Sequence, residues 1–304
     1  MLRYTLRQLE YLIACIDTGS LVGAARKLNV SQPSISTAIA KLEAQLGVQL
    51  LIRHHAQGVV PTAHAESTIS AARNLLLNAN EFQQSIEEAG NEVRGEVNLG
   101  SFISLAPTYL PGLIAALGET YPNLQLNIGE GTQDQLVEGL RRGNYESALV
   151  YDYDLPLDLH KTELMRIKPQ ILLPHGHALA AKDQVSLAEL ASEPLVLLDI
   201  QPSREFFTGL FRSTGFEPKI SYRSSSIELV RGLVGRGLGY SLLVTRPPGD
   251  ITYDGQLLEI RPIEEDVEFG RINLCRLSSV RAGRTMLAFE EFALSYFSDK
   301  STTN

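Results

Sequence analysis

The sequence is short of the residues that staple small folds or span membranes. It holds two cysteines in 304 residues, Cys15 and Cys275, far apart in the chain, which excludes a disulfide framework and a cysteine-rich metal site. The apolar neighbours of Cys15 (Ile13, Ala14, Ile16) point to buried thiols. No apolar stretch approaches the roughly 20 residues that cross a bilayer. The opening MLRYTLRQLEYL has neither the apolar core nor the small-residue cleavage site of a secretory leader. A cytoplasmic location without a membrane partner is therefore expected. Catalytic signatures are missing too: there is no Gly-x-Ser-x-Gly elbow, no Cys-x-x-Cys and no His-Glu-x-x-His. Gly235-Arg236-Gly237-Leu238-Gly239 has the spacing of a phosphate loop, but it follows a helical pattern and precedes a strand, the reverse of the dinucleotide order, so it reads as a glycine turn. Neither His54-His55 nor His175 and His177 has further ligands nearby. The expectation is a non-enzyme with no metal and no cofactor.

What is present is an ordinary globular composition, 44% hydrophobic and 20% charged, long enough for about two domains. The formal net charge is -8, which taken alone argues against a nucleic-acid partner. Its distribution argues otherwise. Residues 1–60 carry six basic side chains (Arg3, Arg7, Arg26, Lys27, Lys41, Arg53) against three acidic ones (Glu10, Asp17, Glu43), a local +3, while 61–92 stand at -4 and 93–304 at -7. The acidic remainder should hold itself clear of DNA and leave the head to bind.

That head reads as three short helices. Leu6, Leu9, Leu12, Ile13 and Ile16 recur at helical spacing and Asp17-Thr18-Gly19 supplies a stop. Ser20 can cap a second helix with Leu21, Ala24, Ala25 and Leu28 on one face. After Asn29-Val30, Ser31 can cap a third, with Pro33 in its first turn, Ile35, Ile39, Leu42 and Leu46 as its buried stripe and Gly47 as its end. Two helices joined by a tight turn, the second starting with polar side chains, form a helix-turn-helix. Gln32, Ser34, Ser36, Thr37 and Lys41 remain on its outer face. Gln can read adenine through its amide, and Ser or Thr can contact bases or phosphates. Periodicity alone favours the plainer alternative, a helical hairpin with a polar solvated face.

The run of residues 6–53 resembles the winged helix-turn-helix of LysR-type transcriptional regulators. The resemblance lies in A-A-x-x-L (Ala24, Ala25, Leu28), S-Q-P-x-I-S (Ser31 to Ser36), I-x-x-L-E (Ile39, Leu42, Glu43) and L-G-x-x-L-L-x-R (Leu46 to Arg53), in order over about fifty positions. It implies that Gln32, Pro33, Ser34, Ser36 and Thr37 face the groove and that Arg53 meets the DNA backbone at the wing; Lys41, on the outer face of the same helix, completes the expected DNA-binding set. This chain has Thr37 and Gln57 where many members carry a basic residue. Fewer phosphates neutralised means a shallower salt dependence.

Thr62 can cap a helix reaching about Glu92, with Ile69, Ala72, Leu76, Ala79 and Ile86 at seam spacing, widened by Leu75 and Phe82. In the family such a helix dimerises, pairing two readers on an interrupted palindrome of double-stranded DNA. After Val93, strands and helices alternate, which predicts parallel sheets covered by helices. The pieces P-H-G-H-x-L-A (Pro174 to Ala180) and G-x-G-L-G-x-S-L-L (Gly235 to Leu243) are similar to those of the family's periplasmic-binding-protein-like domain. The expected class is α/β overall: an N-terminal all-α winged helix-turn-helix (1–61), a long linker helix (62–92), and a C-terminal two-lobed α/β effector and oligomerisation domain (93–304). Lobe I spans about 93–165 and 267–304, and lobe II about 166–266.

Ligands of open α/β sheets bind beyond the carboxyl ends of strands. Four polar junctions fit: Gly100 to Ser104, Gly131-Thr132, Gln201 to Arg204, and Ser224 to Ser226. Ser101, Phe102, Thr132, Ser203, Arg204 and Ser225 are the candidate effector contacts, with Arg204 a planar fork for a carboxylate. The four junctions together predict a small anionic effector, an organic acid; the resemblance implies RNA polymerase as a partner and homodimers assembling to a homotetramer. A small-molecule binding protein of the periplasmic type without DNA binding is the alternative; it leaves the first sixty residues unexplained.

Overall fold

The computed structural model describes residues 3–54, 58–87, 93–247 and 249–301. His55, Gln57 and the predicted end of the linker at 88–92 lie outside these residues. The chain divides into two compact units, one gathering Met1–Glu92 with Glu138–Tyr145 and Val280–Arg284, the other the remainder.

In the first unit, α1 (Leu6–Thr18) opens on a Thr5/Gln8 capping box and ends at Gly19, φ 63°. Helix α2 (Leu21–Lys27) is capped by Ser20, whose hydroxyl accepts from the Gly23 N–H at 2.7 Å. Helix α3 (Gln32–Leu46) starts at Ser31 and stops at Gly47, φ 71°. Leu12, Cys15, Ala24, Ile35, Ile39 and Leu42 share one core. A two-stranded antiparallel wing follows, β1 (Leu51–His54) and β2 (Gly58–Pro61). Two contacts set its position. The Val59 N–H donates to the Gly19 carbonyl at 2.8 Å, and a Cβ at Gly58 would lie 2.1 Å from that oxygen, so only glycine fits there. At the other end, the Glu43 carboxylate accepts from the Leu50 and Leu51 N–H groups at 2.7 and 3.0 Å. Glu43→Ala leaves both donors unpaired beside buried Leu50 and Leu51; a loss of about 2–4 kcal/mol is expected, read as a lower urea midpoint.

Helix α4 (Ala63–Glu87) is capped by Thr62, which accepts from the Ala65 N–H at 3.2 Å. Its beginning packs on the head through buried Ala65 and Ile69 and through Ala72 and Leu76, and Arg73 pairs with Asp17. Leu75 and Phe82 stay exposed, Phe82 at 67%.

After the linker the chain runs through β3 (Gly95–Phe102), α5 (Ala106–Thr120), β4 (Leu124–Gly131), α6 (Gln133–Arg141, which from Glu138 on counts with the first unit), β5 (Ser147–Tyr151) and β6 (Leu159–Ile167). The chain then crosses into β7 (Gln170–Pro174), a 3-10 turn, α7 (Leu187–Leu190), β8 (Pro194–Leu198), α8 (Ser203–Ser213), β9 (Lys219–Ser224), α9 (Ile227–Gly235), β10 (Ser241–Leu243) and β11 (Leu258–Pro262). It returns as β12 (Gly270–Leu277) and α10 (Arg284–Ser301). Lobe I is one sheet, β4-β3-β5-β12-β6. Strand β3 runs parallel to β4 and β5, whereas the returning β12 is antiparallel to β5 and β6. In lobe II, β8 and β9 are parallel and β7 is flanked by antiparallel β10 and β11. Tyr240 joins the two groups, accepting from the Val196 N–H at 2.8 Å and donating to the Pro194 carbonyl at 3.0 Å.

Sequence and structure differ in two places that matter for the site. Strand β3 continues through Phe102, in register with β4 as far as Gly131, so Ser101 and Phe102 are strand residues and not part of a junction. The parallel expectation holds for the outgoing strands only, because the chain leaves lobe I and comes back, and a returning strand enters its sheet reversed.

Candidate functional site

Ile35, Ile39 and Leu42 are wholly buried, which fixes the roll of α3 and turns Gln32, Pro33, Thr37 and Lys41 to the outside. The side chains of Gln32, Thr37 and Lys41 have no hydrogen-bond partner among the described residues. Ser34 is otherwise engaged: its hydroxyl lies 2.7 Å from that of Ser31, inside the helix cap. Ser36, half-buried, accepts from the exposed Arg53 guanidinium at 3.1 Å, which ties β1 to the helix. Exposed Ala40 and Ala44 continue the same face and were not singled out by sequence; their i, i+4 spacing from Ser36 was the signal. The face thus offers an amide, hydroxyls, small methyls and a cation without a wall of bulky side chains, which suits close approach to base edges.

In the second unit, two clefts lie between the lobes, on either side of the segment leading into α8. The first is narrow, with a cavity volume of about 30 Å³, and is bounded by Tyr151, Tyr153, Ser203, Phe206, Thr245 and Phe269, among others. The second, with a cavity volume of about 370 Å³, is bounded by Thr132, Gln133 and Asp134 from lobe I and by Asp199, Ile200, Gln201 and Arg204 from lobe II. Gln133 links them, its amide donating to the Tyr153 carbonyl at 2.7 Å. Helix α8 begins beside the first cleft with Pro202 at its cap position, so no side chain satisfies its opening N–H groups.

The floor of the first cleft carries a chain of hydroxyls that joins the lobes. Tyr151, at the carboxyl end of β5, donates to Thr245, just past β10, at 2.8 Å, and lies 3.3 Å from the Ser104 hydroxyl. Burial pushes the Tyr151 phenol up to about 12, with the bonds to Ser104 and Thr245 pulling weakly the other way, so it is a neutral donor at any physiological pH. Tyr109, raised by burial too, also bonds to Thr245.

Of the predicted effector contacts, Ser203 lines the first cleft, while Thr132 and Arg204 line the second. Ser101 is fully buried with its hydroxyl directed to the Phe102 carbonyl, Phe102 packs edge-on against Tyr151, and Ser225 is exposed; none of these three lines either cleft. Arg204 is engaged by Asp199 and approaches Glu205 at 3.9 Å, while Arg223 approaches Asp199 at 3.7 Å, so its charge is largely compensated. Tyr151, Thr245 and the aromatic wall were missed. Tyr151 was within reach, as a polar aromatic ending a buried strand; Phe269 lies in a crossing segment that carries no periodicity.

Both thiols are buried, and burial raises them, Cys15 to about 11 and Cys275 to about 12. No cluster of metal-ligating side chains occurs among the described residues, and none of their helices is long and apolar enough to cross a membrane.

Comparison with known proteins places these features. A family described as "Bacterial regulatory helix-turn-helix protein, lysR family" matches residues 6–66, and "LysR substrate binding domain" matches residues 90–298. The crystal structure of HinK, a LysR family transcriptional regulator from Pseudomonas aeruginosa, is 39% identical and covers 97% of this chain and 99% of its own, with a TM-score of 0.66. The HTH-type transcriptional regulator YnfL of Escherichia coli K12 is 30% identical, over 78% of this chain and 81% of that protein. A hydrogen peroxide-inducible genes activator of Pectobacterium carotovorum is 28% identical, over 78% and 79%. With a helix-turn-helix head followed by an effector-binding domain, the chain belongs to the LysR family of transcriptional regulators.

Proposed function

We propose that this regulator reads an interrupted palindromic promoter site as a dimer, assembles to a homotetramer, and alters its contact with RNA polymerase in the cytoplasm when a small organic acid occupies the cleft between its lobes. Residues 1–61 read DNA, 62–92 pair two chains, and 93–304 sense the effector. The observation that carries the DNA reading is the outward face of α3, where Gln32, Thr37 and Lys41 stand free beside Arg53. The dimer reading is supported by Phe82 and Leu75, left exposed along α4.

The effector reading rests on the two clefts. A carboxylate set against the start of α8, beside Ser203, meets the positive end of an eleven-residue helix that no side chain caps, although the Arg204 N–H there already donates to the Ile200 carbonyl at 3.1 Å. Thr132 and Arg204 lie across the adjoining cleft and serve as outer contacts. Because Asp199 already holds Arg204, Ser203 is expected to matter at least as much as the guanidinium. Occupancy that closes the lobes would shift a pre-existing equilibrium between dimer packings.

A gel-shift with the DNA upstream of its own coding sequence tests the first part; no specific retardation overturns it. For the second, Ser203→Ala and Arg204→Ala should weaken the effector response in a reporter assay while operator binding stays intact. An unchanged response in both variants removes the placement. Peroxide sensing, the response named for the Pectobacterium relative, is not part of the reading, because a thiol reacts as thiolate and neither thiol here is ionised or accessible. Native protein treated with hydrogen peroxide should keep both cysteines unmodified by intact mass and give an unchanged gel-shift.

A further inference from the structure

Asp17 sits where its own helix disfavours it. It lies in the last turn of α1, where a carboxylate opposes the helix dipole, so what it contributes comes from its partners. Two cations hold it. Lys27, at the end of α2, approaches at 3.4 Å with 55% of its side chain exposed, whereas Arg73 reaches it from the linker helix with only 14% exposed.

The Arg73 pair joins head to linker where the surrounding packing is shallow. Ala65, Ala72 and Leu76 of α4 supply the neighbouring contact with the core of the head. Apolar burial has no direction, and alanines raise low ridges, so such packing resists separation more than tilt. A charge-assisted hydrogen bond does have direction. Both ends of this one are constrained. The stem of Arg73 runs against the turn after α6: a Cβ placed on Gly143 (φ 69°) would lie 3.1 Å from the Arg73 Cβ and 3.2 Å from its Cδ, which leaves the stem little room to swing. Asp17 stands two residues before Gly19, whose carbonyl receives the Val59 N–H of the wing, and three before Ser20, the cap of α2. Holding Asp17 therefore holds the corner on which the helix-turn-helix and the wing both rest.

We infer that Arg73 is a positioning residue for operator recognition: its pair with Asp17 sets the angle of the head on the linker helix and, through two paired linkers, the spacing between half-sites that the dimer accepts. This rests on the dimer reading given above. Each base pair added between half-sites moves one of them by about 3.4 Å and turns it by about 35° around the duplex. A head held at one angle matches one spacing. A head free to tilt matches several, and binds the best of them less tightly because it must be ordered on binding.

Gel-shift titrations of the full chain test this on the DNA upstream of its own coding sequence, footprinted to locate the half-sites. The comparison duplexes carry one or two base pairs inserted between half-sites, or a single half-site. The parent is expected to favour the native spacing over one inserted base pair by about tenfold or more, and Arg73→Met to reduce that ratio to about threefold or less. Asp17→Asn should flatten the profile equally, and the double variant no further than either single one, as for two residues acting through one contact. Arg73→Lys keeps the cation and should recover most of the parent's ratio. A variant that merely weakens the fold lowers binding to every duplex in proportion and leaves the ratio alone. A parent indifferent to spacing, or a ratio unchanged in Arg73→Met or in Asp17→Asn, overturns the inference and leaves the dimer reading standing. A parent that binds the single half-site as tightly as the full site overturns the dimer reading and the inference with it.

Discussion

Gln32→Ala is expected to lower affinity for the promoter site by about 30-fold or more while leaving affinity for unrelated DNA as it was. A side-chain amide paired with a base edge discriminates by about 1–3 kcal/mol, and a dimer on a palindrome makes the contact twice. Nothing in the fold opposes the substitution, since Gln32 is exposed at the first position of α3 and the cap is formed by Ser31. Stability should therefore stay within a few tenths of a kcal/mol of the parent, roughly the cost of an ordinary surface change. Lys41→Ala provides the contrast. A phosphate contact carries no sequence information, so its loss should weaken all DNA alike and reduce the salt slope by about one per half-site. Gel-shift titrations on promoter and scrambled duplexes at several salt concentrations separate the two; an equal loss on both duplexes for Gln32→Ala would sink its assignment as a base reader.

Arg231→Met is expected to cost lobe II about 3–5 kcal/mol, a large fraction of a typical domain's stability. Arg231 lies in α9 with 2% of its side chain exposed. It donates to the Gly249 and Ile251 carbonyls at 3.0 and 2.9 Å and lies 3.1 Å from the Glu228 carboxylate. Methionine fills similar space but strands a carboxylate and two carbonyls, and it releases the segment that leads into β11. The double variant Glu228→Gln with Arg231→Met removes both charges and should recover part of the loss. Urea unfolding followed by near-UV signal checks the pair; a single variant within about 1 kcal/mol of the parent would show that the buried cation contributes little.

How far the sequence carried depended on the range of the interactions involved. The head was legible almost residue by residue, because its caps are local: Ser20 with Gly23, Ser31 with Ser34, Gly19 and Gly47 as stops. The role of Glu43 was not, since its partners are seven and eight residues on, across a turn. In the second unit most strands announced themselves as apolar runs. Strand β6 did not: His160, Lys161 and Glu163 interrupt it, and an irregular register opposite Ile272 and Asn273 lets Leu164 and Met165 both be buried as neighbours. The cleft was located only in part. The strand-end rule found Ser203, Thr132 and Arg204, whereas Thr245 reaches Tyr151 across 94 positions, a pairing that no local pattern encodes. Arg231, inside the apolar run IELVRGLVG, looks from sequence like a helix-surface charge.

The separation between the inward and outward faces of α3 has a consequence for descent. Ile35, Ile39 and Leu42 hold the helix, and Gln32, Thr37 and Lys41 hold nothing. On the proposed reading, substitutions at Gln32 and Thr37 change the address without risking the scaffold. A duplicated copy of this gene could drift to a new promoter by a handful of tolerated steps while its sensor kept the old ligand, and the converse drift is blocked only by what the cleft walls allow.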